Sequence, residues 1–158
     1  MKINYKVLIT SILIVFLIAF IGSLFTSSNT NSAWYLTNKP SITPPNFVFP
    51  IVWNILYLLI AISLYSAWTN VKTKKDKNQK KKIAIVFGIN LILNVVWSLL
   101  FFTLQLPLFA FIVLIAIWLT IFAMMFVVRK SSKLSAYLLI PYLLWITFAG
   151  ILNVLWMI

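Results

Sequence analysis

Hydrophobic residues in this chain neither alternate nor form narrow amphipathic stripes; they run in long stretches separated by short polar interruptions. A hydrocarbon core about 30 Å thick needs about 20 apolar residues as a helix. Five stretches reach that length, at about 7–25, 49–68, 83–103, 108–128 and 134–156. The third and fourth come from one charge-free run, Ile83 to Val128. As a single helix that run would be roughly 69 Å long, more than twice the bilayer core, so it has to reverse. Thr103-Leu104-Gln105-Leu106-Pro107 is the expected corner, because proline is tolerated at a helix start and not inside one. Membrane strands would need an alternation that is missing. The predicted fold class is an all-α membrane protein: one domain over 1–158, a bundle of five transmembrane helices with an outer connection over about 26–48.

The basic residues set the expected orientation. Lys2 and Lys6 precede span one. Lys72, Lys74, Lys75, Lys77, Lys80, Lys81 and Lys82 lie between spans two and three, and Arg129, Lys130 and Lys133 between four and five. Lys39 stands alone on the other side. Basic loops are retained in the cytoplasm, which puts the N-terminus there and the C-terminus outside. The run Lys72–Lys82 is read as this topology signal, in contact with anionic lipid. No aromatic residue interrupts it, so it offers no base-stacking platform and no nucleic-acid partner is expected. Span one also has the outline of a leader peptide, but Thr26-Ser27-Ser28 is a poor cleavage site and the span is expected to stay.

Composition agrees and removes most chemistry. The chain is 63% hydrophobic and 9% charged with a mean hydropathy of +1.07, against about 45–50% and about 25% in soluble domains. There is no Cys and no His, and Asp76 is the sole acidic residue. Disulfides, Cys/His metal sites, a Ser-His-Asp triad and a carboxylate pair are all excluded. No carboxylate lies in a span, so a proton relay through the membrane is excluded as well.

Polar residues inside the spans are the candidate chemistry. Asn90, Asn94 and Ser98 recur every four residues and share one helix face, with Trp97 and Phe101 beside it. Span five carries Trp145, Ala149 and Asn153 at the same spacing, with Pro141 and Tyr142 one turn earlier. Span two carries Trp53 and Tyr57, with Asn54 adjacent, and span one a small face of Ala19, Gly22, Ser23 and Thr26. Span four has only Thr120 and is expected to be the most exposed to lipid or a partner. Two readings stay open: the amides and hydroxyls join helices, or the faces converge on an aromatic cavity with a few polar anchors. Trp34, Tyr35, Trp68 and Trp156 sit near span ends, as interface anchors do. The stretch Lys39-Pro40-Ser41-Ile42-Thr43-Pro44-Pro45 makes the connection semi-rigid, either a lid over the bundle mouth or a plain connector.

These residues also carry a family resemblance. Trp34-Tyr35, Lys39-Pro40-Ser41, Pro44-Pro45, Val48-Phe49, Val52-Trp53 and Leu56-Tyr57 resemble the TspO/MBR family of tryptophan-rich sensory and translocator proteins, which includes the peripheral-type benzodiazepine receptor. Asn94, Trp97, Phe101-Phe102 and Pro107 resemble it too, as does the run Leu139, Pro141-Tyr142, Trp145, Phe148-Ala149, Leu152-Asn153. The resemblance covers about residues 5–155 and implies a five-helix bundle, often a homodimer. It implies a pocket under the first loop for porphyrins and for benzodiazepine or isoquinoline ligands. In some bacterial members it implies light-dependent breakdown of protoporphyrin involving two tryptophans, matched here by Trp53 and Trp145. Tyr57, Asn94 and Ala149 match further pocket positions, and Trp34, Tyr35, Lys39, Pro44 and Pro45 match the lid. Three departures stand out: Ile42 replaces a frequent Trp, Phe49-Pro50-Ile51 replaces Phe-Gly-Pro, and no Tyr followed by Lys or Arg comes after Asn153. The last removes the proposed sterol motif, a weak pattern in any case.

The expected function is therefore an integral receptor or sensor for tetrapyrroles, in a bacterial-type cell membrane. Its candidate ligand-binding residues are Trp34, Tyr35, Lys39, Pro44, Pro45, Trp53, Tyr57, Asn90, Asn94, Trp97, Ser98, Phe101, Tyr142, Trp145, Phe148 and Ala149. No intrinsic cofactor or metal is expected; porphyrin is ligand or substrate, and the partners are lipid and a second copy. Enzyme activity is an open question, confined to a photochemical role for Trp53 and Trp145, since no acid–base agent is present. The alternative is a passive transporter of porphyrin or other small hydrophobic ligands.

Overall fold

A computed structural model describes residues 3–27, 29–71 and 77–158. Lys2, and Lys72, Lys74, Lys75 and Asp76 of the lysine-rich connection, lie outside the described residues. The chain forms α1 (Tyr5–Ser27), α2 (Ala33–Asn38), α3 (Val48–Thr69), α4 (Lys77–Ser98), α5 (Pro107–Arg129), α6 (Lys133–Tyr137) and α7 (Ile140–Leu155). A π-helical segment, Leu99–Thr103, extends α4. Five helical segments are long and apolar enough to cross a membrane, with α6 and α7 together making the fifth. Their outer faces carry large apolar side chains such as Leu13, Leu17, Phe20, Ile112, Leu119 and Phe126, which suit hydrocarbon and not water.

The corner between the third and fourth spans is built as its residues dictate. The widened turn is closed by Leu104 N–H donating to Leu99 C=O at 2.9 Å, and Leu106 N–H reaches Leu100 C=O at 2.9 Å. Gln105 takes φ 54°, and Pro107 opens α5, where its missing N–H costs nothing.

Two expectations are corrected. Span five is not one helix: it breaks at Leu138 and Leu139 between α6 and α7. Pro141 follows immediately; it cannot donate to the carbonyl of Tyr137, and its ring crowds that carbonyl. Nor is span four the most exposed. It buries Ala110, Leu114, Ile117, Ile121, Met124 and Val128, whereas α1 buries Ser11, Val15 and Gly22. Aliphatic residues pack against protein as well as against lipid, so a scarcity of polar groups does not mark a lipid-facing helix. The small face of α1 is used in part: Gly22 is buried, whereas Ser23 is exposed and bonds its own helix at Phe20 C=O.

One end of the bundle is tied by hydroxyls. Ser63 donates to Ser135 C=O at 2.8 Å, and Ser66 and Ser132 hydroxyls lie 3.0 Å apart. Gln79 donates to Val127 C=O at 2.8 Å, which fixes the start of α4 on the end of α5. Lys6, Lys77, Lys80, Lys81, Lys82, Arg129, Lys130 and Lys133 belong to helix ends here. The far end holds α2, the corner and the end of α7.

The bundle centre is joined by Asn90, whose loss strands several partners at once. Asn90→Ala is expected to lower stability by about 1–2 kcal/mol, because it removes the acceptor of the buried Tyr142 hydroxyl on α7 and the donor to Thr120 Oγ1 on α5. Thr147→Val removes an exposed hydroxyl that accepts from Trp118 Nε1–H at 3.0 Å and donates to Leu143 C=O of its own helix at 2.9 Å, and should cost about 0.6 kcal/mol. Thermal unfolding in one detergent checks the ranking; equal losses would show that the Asn90 bonds contribute nothing special.

Candidate functional site

Helices α3 and α7 meet through rings. Phe49, Trp53 and Tyr57 recur every four residues and so share one face of α3. Trp53 stacks on Tyr57 with centroids 5.2 Å apart and meets Tyr142 edge-on at 6.3 Å. Phe49 meets Trp145 at 5.9 Å, and Trp145 touches Phe148 at 5.7 Å. Tyr57 also reaches Phe16 of α1 at 6.5 Å. Tyr142 is fully buried, whereas Trp53, Tyr57, Trp145, Phe148 and Ala149 are half-buried.

A directional chain of hydrogen bonds runs behind these rings. Asn94 Nδ2 donates to the Tyr142 hydroxyl at 2.6 Å, which donates to Asn90 Oδ1 at 3.0 Å. Asn90 Nδ2 donates to Thr120 Oγ1 at 2.8 Å, and Thr120 donates to Ile117 C=O at 2.8 Å. Asn94 Nδ2 also donates to Asn90 C=O at 2.8 Å. The amide of Asn90 is thereby occupied, so the helix-joining reading describes it. Asn94 differs: its Oδ1 is buried and accepts no hydrogen bond among the described residues. Ser98, the third member of the stripe, lies where α1 crosses α4; a Cβ on Gly22 would sit 3.8 Å from its Oγ.

The far end holds a second aromatic cluster. Ser32 caps α2 by accepting from Tyr35 N–H at 3.2 Å, which sets Trp34 and Tyr35 over the bundle. Trp34 meets Phe101 at 5.8 Å and Trp156 at 5.3 Å; Tyr35 meets Phe102 at 5.9 Å and Trp156 at 5.0 Å. Trp97 stacks on Phe101 at 5.4 Å and packs on both the central core and this cluster. Asn153 Nδ2 donates to Pro107 C=O at 2.9 Å, locking the end of α7 to the start of α5. Burial pushes the Tyr35 phenol above its ordinary range.

The expected site residues thus form two groups. Trp53, Tyr57, Tyr142, Trp145 and Phe148 gather between α3 and α7, with Asn94 behind Tyr142. Trp34, Tyr35 and Phe101 gather under α2, and Trp97 joins the two groups. Lys39 and Pro45 are exposed and Pro44 is half-buried, in the connection that leads from α2 to α3. An apolar recess of about 400 Å³ lies elsewhere, between α5 and α7, lined by Leu114, Trp118, Thr147, Gly150 and Val154. None of the expected site residues lines it. The groups brought together offer ring faces, amides and hydroxyls.

Phe49, Phe102 and Trp156 are the members of these clusters that sequence reasoning did not assign to the site. A signal for Trp156 was present: Tyr142, Trp145, Ala149, Asn153 and Trp156 continue one three-four spacing along a single helix face. Phe102 is buried together with its neighbour Phe101 where the π-helical turn departs from α-helical spacing.

The TspO/MBR family model matches residues 11–157. The chain is 40% identical to the tryptophan-rich protein TspO of Archaeoglobus fulgidus over 151 residues, covering 95% of this chain and 94% of that protein. It is 36% identical to the tryptophan-rich protein TspO of Chlorobaculum tepidum, covering 86% and 84%. It is 31% identical to the translocator protein of Ovis aries, covering 76% and 70%.

Tyr35 yields a test of how α2 is held. Burial favours the protonated phenol, so the folded-state pKa lies above the unfolded one. The stabilisation is complete below the ordinary tyrosine value near 10 and is lost as pH rises through the raised folded value. Tryptophan emission is therefore expected to stay constant from about pH 7 to 9 and to shift red above about pH 10 as α2 loosens. Tyr35→Phe should remove that step; its persistence would assign the step to another group.

Proposed function

Since the chain belongs to the TspO/MBR family, we propose that this integral membrane protein is a receptor for flat aromatic ligands of the tetrapyrrole class, which also takes benzodiazepine and isoquinoline compounds. The observation that carries this reading is the ring-to-ring seam between α3 and α7, with half-buried Trp53 and Trp145 on either side of it. Aliphatic seams gain nothing particular from a planar guest. Rings that already pack edge-on and stacked can part and take a planar guest in the same geometries. Asn94 Oδ1 adds one acceptor beside the seam, and Trp34 and Tyr35 of α2 act as the lid.

The membrane orientation belongs to the same proposal. The basic end described above faces the cytoplasm, and α2, with exposed Lys39 after it, faces outside. Ligands therefore enter from the outer side.

Light-dependent breakdown of a bound porphyrin is the second reading, favoured by two tryptophans at one seam and by spans free of acid–base groups. Protoporphyrin titrated in the dark should saturate and quench tryptophan emission. Trp53→Phe and Trp145→Phe should retain part of the dark binding, since Phe keeps much of the apolar contact. Any loss of the porphyrin bands on illumination should fall in both variants. No saturable binding by wild-type protein would overturn the receptor reading, and full photochemistry in the double variant would remove these tryptophans from it.

The absence of titratable groups gives a further expectation. Affinity follows pH only when a group in the site titrates differently in the free and bound states. The chain has no His, and its sole carboxylate belongs to the lysine-rich connection. An uncharged benzodiazepine-type ligand should bind with affinity nearly flat between about pH 5.5 and 8. A tenfold change, about 1.4 kcal/mol, would mean that the site lies elsewhere.

A further inference from the structure

The indole N–H of Trp156 is buried and has no acceptor among the described residues. Its surroundings make this more than a local imperfection. A serine or threonine hydroxyl in the same condition can rotate; an indole N–H points one way, fixed by its ring. The ring of Trp156 is held by Trp34 at 5.3 Å, Tyr35 at 5.0 Å and Phe101 at 5.1 Å, from two different elements. Those neighbours present ring faces and edges, a poor environment for a bridging water, which needs two to four polar partners of its own. Buried tryptophan N–H groups nearly always find an acceptor, so an acceptor is missing that another molecule would supply.

We propose that Trp156 is a specificity-determining residue whose indole N–H receives a carboxylate oxygen of the ligand beneath α2. This rests on the tetrapyrrole reading and adds to it the requirement for an acidic arm. A carboxylate is favoured over a neutral carbonyl for two reasons. An N–H bond to an ionised acceptor is the stronger one. Lys39, which follows α2 directly, supplies positive charge at this end of the bundle, where the next connection and the end of α7 carry none. Trp145 and Trp156 are eleven residues apart on one face of α7, about 16 Å along the axis. The macrocycle then reaches from the α3–α7 seam to the space beneath α2, with its acidic arm directed to Trp156.

The test compares two porphyrins on the full-length protein in the dark: protoporphyrin, which carries two carboxyl arms, and octaethylporphyrin, which carries none. Trp156→Phe keeps a ring in the aromatic cluster and removes the N–H. The variant is expected to bind protoporphyrin about tenfold more weakly, about 1.4 kcal/mol, and octaethylporphyrin as wild type does. Unchanged octaethylporphyrin binding also shows that the variant is folded. Wild type binding both porphyrins while Trp156→Phe changes neither, or weakens both equally, overturns the role of Trp156 alone. Wild type binding neither overturns the tetrapyrrole reading and this proposal together.

Discussion

Hydrocarbon offers no hydrogen-bond partners, so every polar side chain in the bundle must be answered by another, and the chain through Asn90 is where this constraint is tightest. Asn94, Tyr142, Asn90 and Thr120 come from α4, α5 and α7, and the donors hand on from one to the next until the line ends at Ile117 C=O. The direction is fixed: the Tyr142 hydroxyl has one proton and gives it to Asn90, so it must accept from Asn94. That order leaves Asn94 Oδ1 as the open end. The same network that holds three helices in register therefore also presents an unpaired acceptor next to Trp53, one ring away through Tyr142. Packing and site are not separable here.

The far end depends on backbone geometry instead. Pro107 ends one helical direction and starts another, and the π-helical turn before it turns both Phe101 and Phe102 inward. Pro141 acts similarly in the fifth span. By breaking the helix after α6 it lets α7 begin afresh with Tyr142 buried against Asn90 and Asn94. Two prolines thus set where the aromatic residues of α4 and α7 point, and the short capped α2 closes over them through Trp34 and Tyr35.

Much of this was legible in the sequence because the bilayer reduces the possibilities. Length and apolarity are enough to find five spans, and a charge-free run of double length with one proline has one place to fold back. The face of span three was legible from its four-residue spacing, but the use of that face was not. Asn90 and Asn94 look alike in sequence, yet one is consumed by Thr120 and Tyr142 and the other keeps an acceptor, a difference that depends on partners 30 to 52 positions away. The exposure of span four was misread for a physical reason: Leu114, Ile117, Ile121 and Met124 would suit lipid equally well, so composition cannot distinguish an inner aliphatic face from an outer one. Trp156 was read as an interface anchor because it sits at a span end, although its spacing from Tyr142, Trp145 and Asn153 places it on the inward face.

The ring contacts also bear on what decides ligand choice. Trp53 stacks on Tyr57 and Phe49 meets Trp145 edge-on, so these rings already have aromatic partners. A planar guest between them exchanges one set of ring contacts for another, so apolar area alone gives it little advantage over the closed seam. Unpaired polar atoms behave differently. A buried acceptor at Asn94 and a buried donor at Trp156 are costly in the free protein, and a ligand that meets them relieves that cost while one that does not leaves it in place. Discrimination among flat molecules in the proposed site therefore comes from these two atoms, one behind the seam at Tyr142 and one under α2.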